Sequence, residues 1–165
     1  MKRNHFVKSI GLGAWITPAM IKRLSIENEP PLDKAIVAEF VRVAHMDQVK
    51  VEEMLATYPT LLNSAHDWGR GDFETALGAA SHVGNKELVM FLLDKGAQTN
   101  LFTACLFGQL DIVKAMLTSF PQSLQAKGPH GFTLLHHAIK GGDDALEVKA
   151  YLETLGAVET KIPLY

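Results

Sequence analysis

The stretch Gly131-Phe132-Thr133-Leu134-Leu135-His136-His137-Ala138 recurs in weaker form upstream, as Thr75-Ala76-Leu77-Gly78-Ala79-Ala80. Each copy carries a threonine, a leucine two residues on and a small residue three after that. A glycine and apolar pairs follow in both: Gly84 with Leu88-Val89 and Leu92-Leu93, then Gly142 with Leu146, Val148 and Tyr151-Leu152. A repeating two-helix unit is the simplest cause. A unit of that size cannot bury its apolar face alone, so the copies must stack into a shared core.

Apolar residues at helical spacing extend the pattern upstream, through Ile36, Val37, Phe40 and Val41 and then Val51, Met54 and Leu55, stopping at Pro59. The second-helix leucines of the successive units are Leu55, Leu93, Leu117 and Leu152, spaced by 38, 24 and 35 residues. A turn plus two helices repeating every ~33 residues is the mark of ankyrin repeats. The residues agree. Gly131-x-Thr133-Leu134-Leu135-His136-x-Ala138 resembles that family's G-x-T-P-L-H-x-A motif, with Leu134 in place of proline. Leu92-Leu93-x-x-Gly96-Ala97 resembles its helix ending, and Leu155-Gly156-Ala157 repeats the Gly-Ala.

The resemblance covers residues 36–158 and implies an all-α ankyrin-repeat solenoid of about four helix-turn-helix repeats. The repeats are expected at 36–66, 67–97, 98–124 and 125–158, with 22–34 a proline-containing linker and 159–165 a C-terminal tail. Terminal repeats of a solenoid must cover the core and are usually atypical; the first repeat lacks the motif, and the last runs out in Ile162-Pro163-Leu164-Tyr165. Physical reasons stand behind the motif. Gly131 supplies a positive φ for a tight turn, Thr133 caps the next helix, and Ala79, Ala80 and Ala138 let helices approach closely. By resemblance, His136 bonds within its own repeat.

Two departures are informative. Gly84 and Gly108 are only 24 residues apart, roughly nine short of the period. The hairpin finger between repeats two and three is therefore expected to be shortened, leaving a notch in the row of fingers. Met54-Leu55-Ala56-Thr57-Tyr58-Pro59 and Met116-Leu117-Thr118-Ser119-Phe120-Pro121 match each other, so repeats one and three end on an aromatic-proline stop and repeats two and four on Gly-Ala. This alternation resembles a group of small bacterial ankyrin proteins.

Composition narrows the function classes. A net charge of −2, with cations scattered among acids, gives no electrostatic footprint for nucleic acid. The lone Cys105 excludes an internal disulfide or a cysteine-pair metal site, and its place in a small-residue row marks a buried structural thiol. Lys2, Arg3 and Lys8 precede an uncharged run to Ile21, too short to span a bilayer. Residues 1–21 suit an export signal with a degenerate twin-arginine pattern, or else an N-terminal helix packed on the domain. The first reading places the protein in a bacterial periplasm, the second in the cytoplasm.

No nucleophile elbow, phosphate loop or dinucleotide fingerprint occurs, so no catalytic residues and no cofactor are expected. His136 and His137 are adjacent and point about 100° apart on a helix, and no metal-binding spacing occurs; no metal ligand is assigned. A metal site would have to be assembled from different repeats, for example from His82, His130 and Asp72.

What the resemblance implies is a non-enzymatic module that binds another protein through finger tips and concave face. The positions expected to be exposed there are Trp68, Asp72, Glu74, His82, Phe107, His130 and Lys140. The loop from His66 to Glu74 is the richest, with two large aromatics, an arginine and two glycines. Trp68 and Phe73 could equally cover the core, and Asp67 cap a turn. Phe107 is expected to project where the missing finger opens the concave side. The rival readings are a small-molecule or metal-binding protein or enzyme using that notch, and an accessory or inhibitory subunit of an exported enzyme.

Overall fold

A computed structural model describes residues 30–165; the expectations for residues 1–21 and for most of the linker lie outside them. The helices come in antiparallel pairs: α1 (Lys34–Val43) with α2 (Gln48–Thr57), α3 (Ala76–Val83) with α4 (Lys86–Asp94), α5 (Leu101–Leu106) with α6 (Leu110–Ser119), and α7 (Leu134–Gly141) with α8 (Leu146–Thr154). A hairpin of β1 (Ala65–Asp67) and β2 (Phe73–Thr75), in the register His66 opposite Glu74, forms the finger before α3.

Short polar side chains start the helices. Asp33, Asp47, Thr75, Asn85, Asn100 and Thr133 each accept from a backbone N–H of the first turn, at 2.7–3.3 Å, filling donors that have no partner inside a helix. The endings alternate as the sequence suggests. Tyr58 and Phe120 leave α2 and α6 with nearly the same backbone angles, φ −130 and −134, and each leads into a proline-initiated 3-10 turn. Gly96 and Gly156 end α4 and α8 at φ +95 and +91, the left-handed geometry that glycine adopts without steric cost.

The core runs along the stack in two clusters. Phe40, Val41, Val51, Leu61, Leu77, Leu88 and Leu92 fill the first; Cys105, Val113, Leu117, Leu134, Val148 and Leu152 fill the second. Ala79, Ala80 and Ala138 are buried, as the close approach of the inner helices requires. Ser81 and Thr103 join their hydroxyls at 3.1 Å between α3 and α5.

In a linear stack each repeat touches only its neighbours. Here α3 touches α7 as well as α5. The cause is the short connection after α4: Ala97 to Asn100 lead directly into α5, which has only six residues and no finger. Nothing then holds α3 and α7 apart. His136 Nε2 donates to the His82 carbonyl at 2.8 Å, so this motif histidine bonds across repeats rather than within its own. Lys86 Nζ reaches the Gly141 carbonyl at 2.6 Å and Asp144 at 2.7 Å.

The C-terminal tail closes the far end. Thr133 N donates to Thr160 O and Ile162 N to Gly131 O, forming an isolated bridge beside the last repeat. Tyr165 Oη then donates to the carbonyls of Gly69 (3.2 Å) and Arg70 in the finger tip.

Candidate functional site

Four elements converge where the finger meets the loop before α7. His45 stands in the turn after α1, Glu74 in β2, His82 in the last turn of α3 and His130 in the loop Pro129–Gly131. His45 Nδ1 donates to the carbonyls of Val41 (3.0 Å) and Arg42 (3.2 Å), acceptors left open by the end of the helix. His130 is held by Asp72, which accepts from its backbone N and its Nδ1, both at 2.8 Å. That double grip holds His130 at φ +57, a left-handed conformation that is uncommon outside glycine.

The second nitrogens of these rings surround Glu74. Oε2 accepts from Trp68 Nε1 at 2.7 Å and lies 3.4 Å from His45 Nε2 and 3.3 Å from His130 Nε2. Oε1 lies 3.0 Å from His82 Nδ1. That last pair is close but out of line: neither atom has a hydrogen-bond partner, and both are buried.

Burial alone would push the Glu74 carboxyl up, but its contacts with His45, His82 and Trp68 outweigh it and hold the group at about 2. His45 is raised in turn, chiefly by Glu74. The four residues His45, Glu74, His82 and His130 each offer one donor atom, with no pair further apart than 4.8 Å. Among the described residues they are the group able to hold a metal ion.

Several expectations are corrected here. Glu74 and His82 are not exposed binding positions; they are 1% and 6% exposed. The alternation of the β2 strand turns Glu74 inward, and the rings of His45, His130 and Phe132, with centres 4.9–5.4 Å away, cover His82. Asp72 and His130 are half-buried and bound to each other across 58 residues of chain. Trp68 keeps an exposed face while its indole N–H serves Glu74. Lys140 stands exposed at the end of α7, over Gly84 and outside the cluster.

Phe107 does not project into an open concave notch. It follows α5, packs half-buried on the first core cluster and, with Met90, Leu93, Ile112 and Met116, lines a hollow of about 470 Å³ between the second helices α4 and α6. The place of the missing finger survives as a cavity of about 300 Å³, bounded by Asp72, Ser81, Phe102, Pro129 and His137.

Of the set His82, His130 and Asp72, the two histidines do come together, but Asp72 stands behind His130 and the carboxylate between the rings is Glu74. His45 was missed. It precedes α2 much as His82 precedes α4, each histidine closing the first helix of its pair, and that shared position was the available signal. His136 and His137 stay out of the cluster: His137 Nδ1 is engaged by the Thr133 carbonyl at 2.8 Å and His136 stacks on Phe132. Cys105 is fully buried and its thiol is pushed up to about 12 by that burial, which suits structure rather than reactivity.

Capped helix pairs, a hairpin finger and left-handed glycines at alternate helix ends define a helical-repeat solenoid. It is similar to the ankyrin repeats, whose family model matches in three copies over residues 79–155. No similar protein emerged among the curated proteins. Ankyrin repeats are generally protein-interaction modules and typically non-enzymatic. Among the described residues no helix is long and apolar enough to cross a membrane.

Proposed function

We propose that this chain binds a partner protein through the tip of the hairpin finger before α3. The observation that carries the reading is the display at that tip. Phe73 is 63% and Trp68 39% exposed, beside Arg70. Aromatic residues and arginine are enriched at binding hot spots.

The tip is also preorganised. Asp67 accepts from Gly69 N and Gly71 N, Trp68 N donates to Asp72 O at 2.9 Å, and Tyr165 fastens the two tip carbonyls. Arg70 is held at φ +57, and its guanidinium lies 5.9 Å from the centre of the Tyr165 ring. A loop that is already ordered loses little entropy on binding.

The test is capture from native cells by the full chain and by a Phe73→Ala/Arg70→Gly double variant, with both melting temperatures recorded. The expected result is a partner retained by the wild type and weakened at least ~10-fold by the variant at unchanged melting temperature. A partner held equally by both would move the interaction off the finger.

A further inference from the structure

We infer that His45, Glu74, His82 and His130 form a binding site for one divalent transition-metal ion of the zinc class, which ties the first, second and fourth helix pairs together. The inference stands apart from the finger-tip reading.

The spacing of the donor atoms is the first argument. Zinc bonds nitrogen and oxygen at about 2.0–2.2 Å in tetrahedral sites, which makes the edge between two ligand atoms about 3.4 Å. Glu74 Oε2 lies 3.4 Å from His45 Nε2 and 3.3 Å from His130 Nε2. Charge-assisted hydrogen bonds between such groups would be ~2.7–2.9 Å. Both contacts therefore match a ligand edge better than a hydrogen bond. With no pair beyond 4.8 Å, closure on one ion asks only for small rotations of the two half-exposed rings.

Proton placement is the second. Nδ1 of His45 is committed to backbone carbonyls and Nδ1 of His130 to Asp72. In the neutral rings both Nε2 atoms are then bare lone pairs, and both face a carboxylate oxygen. Lone pair against anion is repulsive unless a cation lies between. A proton on each ring would relieve it, and so would one metal ion.

The orphaned atoms are the third. Glu74 Oε1 and His82 Nδ1 are buried without a hydrogen-bond partner, a situation that costs about 1–3 kcal/mol per group and is rare in folded proteins. A shared ion would give His82 Nδ1 a partner and compensate the buried charge of the Glu74 carboxylate to which Oε1 belongs.

The surroundings fit the same role. A metal-bound histidine almost always donates its other N–H to a carboxylate or a carbonyl; Asp72 and Val41 take those places for His130 and His45. Trp68 Nε1 donates to the candidate ligand Glu74. Three imidazoles and one carboxylate suit zinc and its late first-row neighbours rather than calcium or magnesium, which take oxygen ligands. Four protein ligands leave no open coordination position, so the site is structural rather than catalytic.

The experiment titrates the chelator-treated full chain with zinc against a chromophoric competitor, and with cobalt as a spectroscopic probe. The expected result is one equivalent bound, a higher melting temperature with zinc, and the strong visible absorption of tetrahedral cobalt. Glu74→Gln, which keeps shape and volume, and His45→Gln, at a less buried position, should each weaken zinc binding at least ~10-fold and lose the cobalt spectrum. Asp72→Asn acts only through His130 and should cost about 10–100-fold in affinity. No stoichiometric uptake of zinc or cobalt by the wild type would overturn the proposal, and so would Glu74→Gln and His45→Gln proteins that bind as the wild type does.

Discussion

At the scale of single residues, the same side chain takes opposite roles according to what surrounds it. His45 beside Glu74 is raised by the carboxylate, whereas His137, fully buried and facing no carboxylate, is pushed down to about 4 by desolvation. A neutral, buried histidine couples folding to pH. Below its ordinary value of 6.5 the unfolded chain takes up a proton that the folded chain refuses until about pH 4. The contribution is therefore intact above pH 6.5 and lost as the pH falls toward 4, to a limit of about 3 kcal/mol. Denaturant melts of the wild type and His137→Gln between pH 7 and pH 4 should show a steeper acid loss in the wild type. Equal slopes would mean that His137 is not the group responsible. Nothing in the sequence marks this difference between histidines, because it depends on burial and on which groups lie within a few ångströms.

Elements follow local rules closely, and the departures sit where helices meet. The cap residues and the alternating helix ends are short-range features, so they are legible in the sequence: Thr133 and Gly96 do what their positions imply. Gly141 is different. It lies at the end of α7 in helical geometry, φ −66, where alanine would ordinarily stabilise a helix by up to about 1 kcal/mol. A Cβ there would stand 2.3 Å from the Leu106 carbonyl and 2.5 Å from Ala145 Cβ. Backbone cannot yield as a flexible side chain can, so Gly141→Ala should destabilise by about 1–3 kcal/mol, read as a lower denaturant midpoint at unchanged slope. A stabilised variant would show that α5 and α7 separate easily.

For the molecule as a whole, the short third pair and the tail decide how the stack closes. Gly131 shows the link. Its φ of +78 is one requirement, and a Cβ would also fall 2.0 Å from the Ile162 carbonyl of the tail. Gly96, at φ +95, has open space around it. Gly96→Ala should thus cost about 1–2 kcal/mol from backbone strain alone, and Gly131→Ala more, by dislodging the tail. In a chain ending at residue 158 the excess for Gly131→Ala should vanish. If it persists, the tail is not what makes this position critical.

What the sequence by itself determined is the repeating unit: the motif at Thr75 and Thr133, the leucine spacing, the proline stops and the shortened finger all depend on residues a few positions apart. Local turn chemistry and helical period suffice for those. The direction in which Glu74 points, the burial of His82, the inclusion of His45 and the displacement of Phe107 from the concave face are products of tertiary structure alone. The approach of His130 to His45 and His82 arises because α5 is too short to keep α3 from α7, and sequence spacing carries no measure of that distance. The three histidines around Glu74 span residues 45–130 of the chain, and only the stacking of helix pairs that are not neighbours brings their nitrogens within reach of one carboxylate.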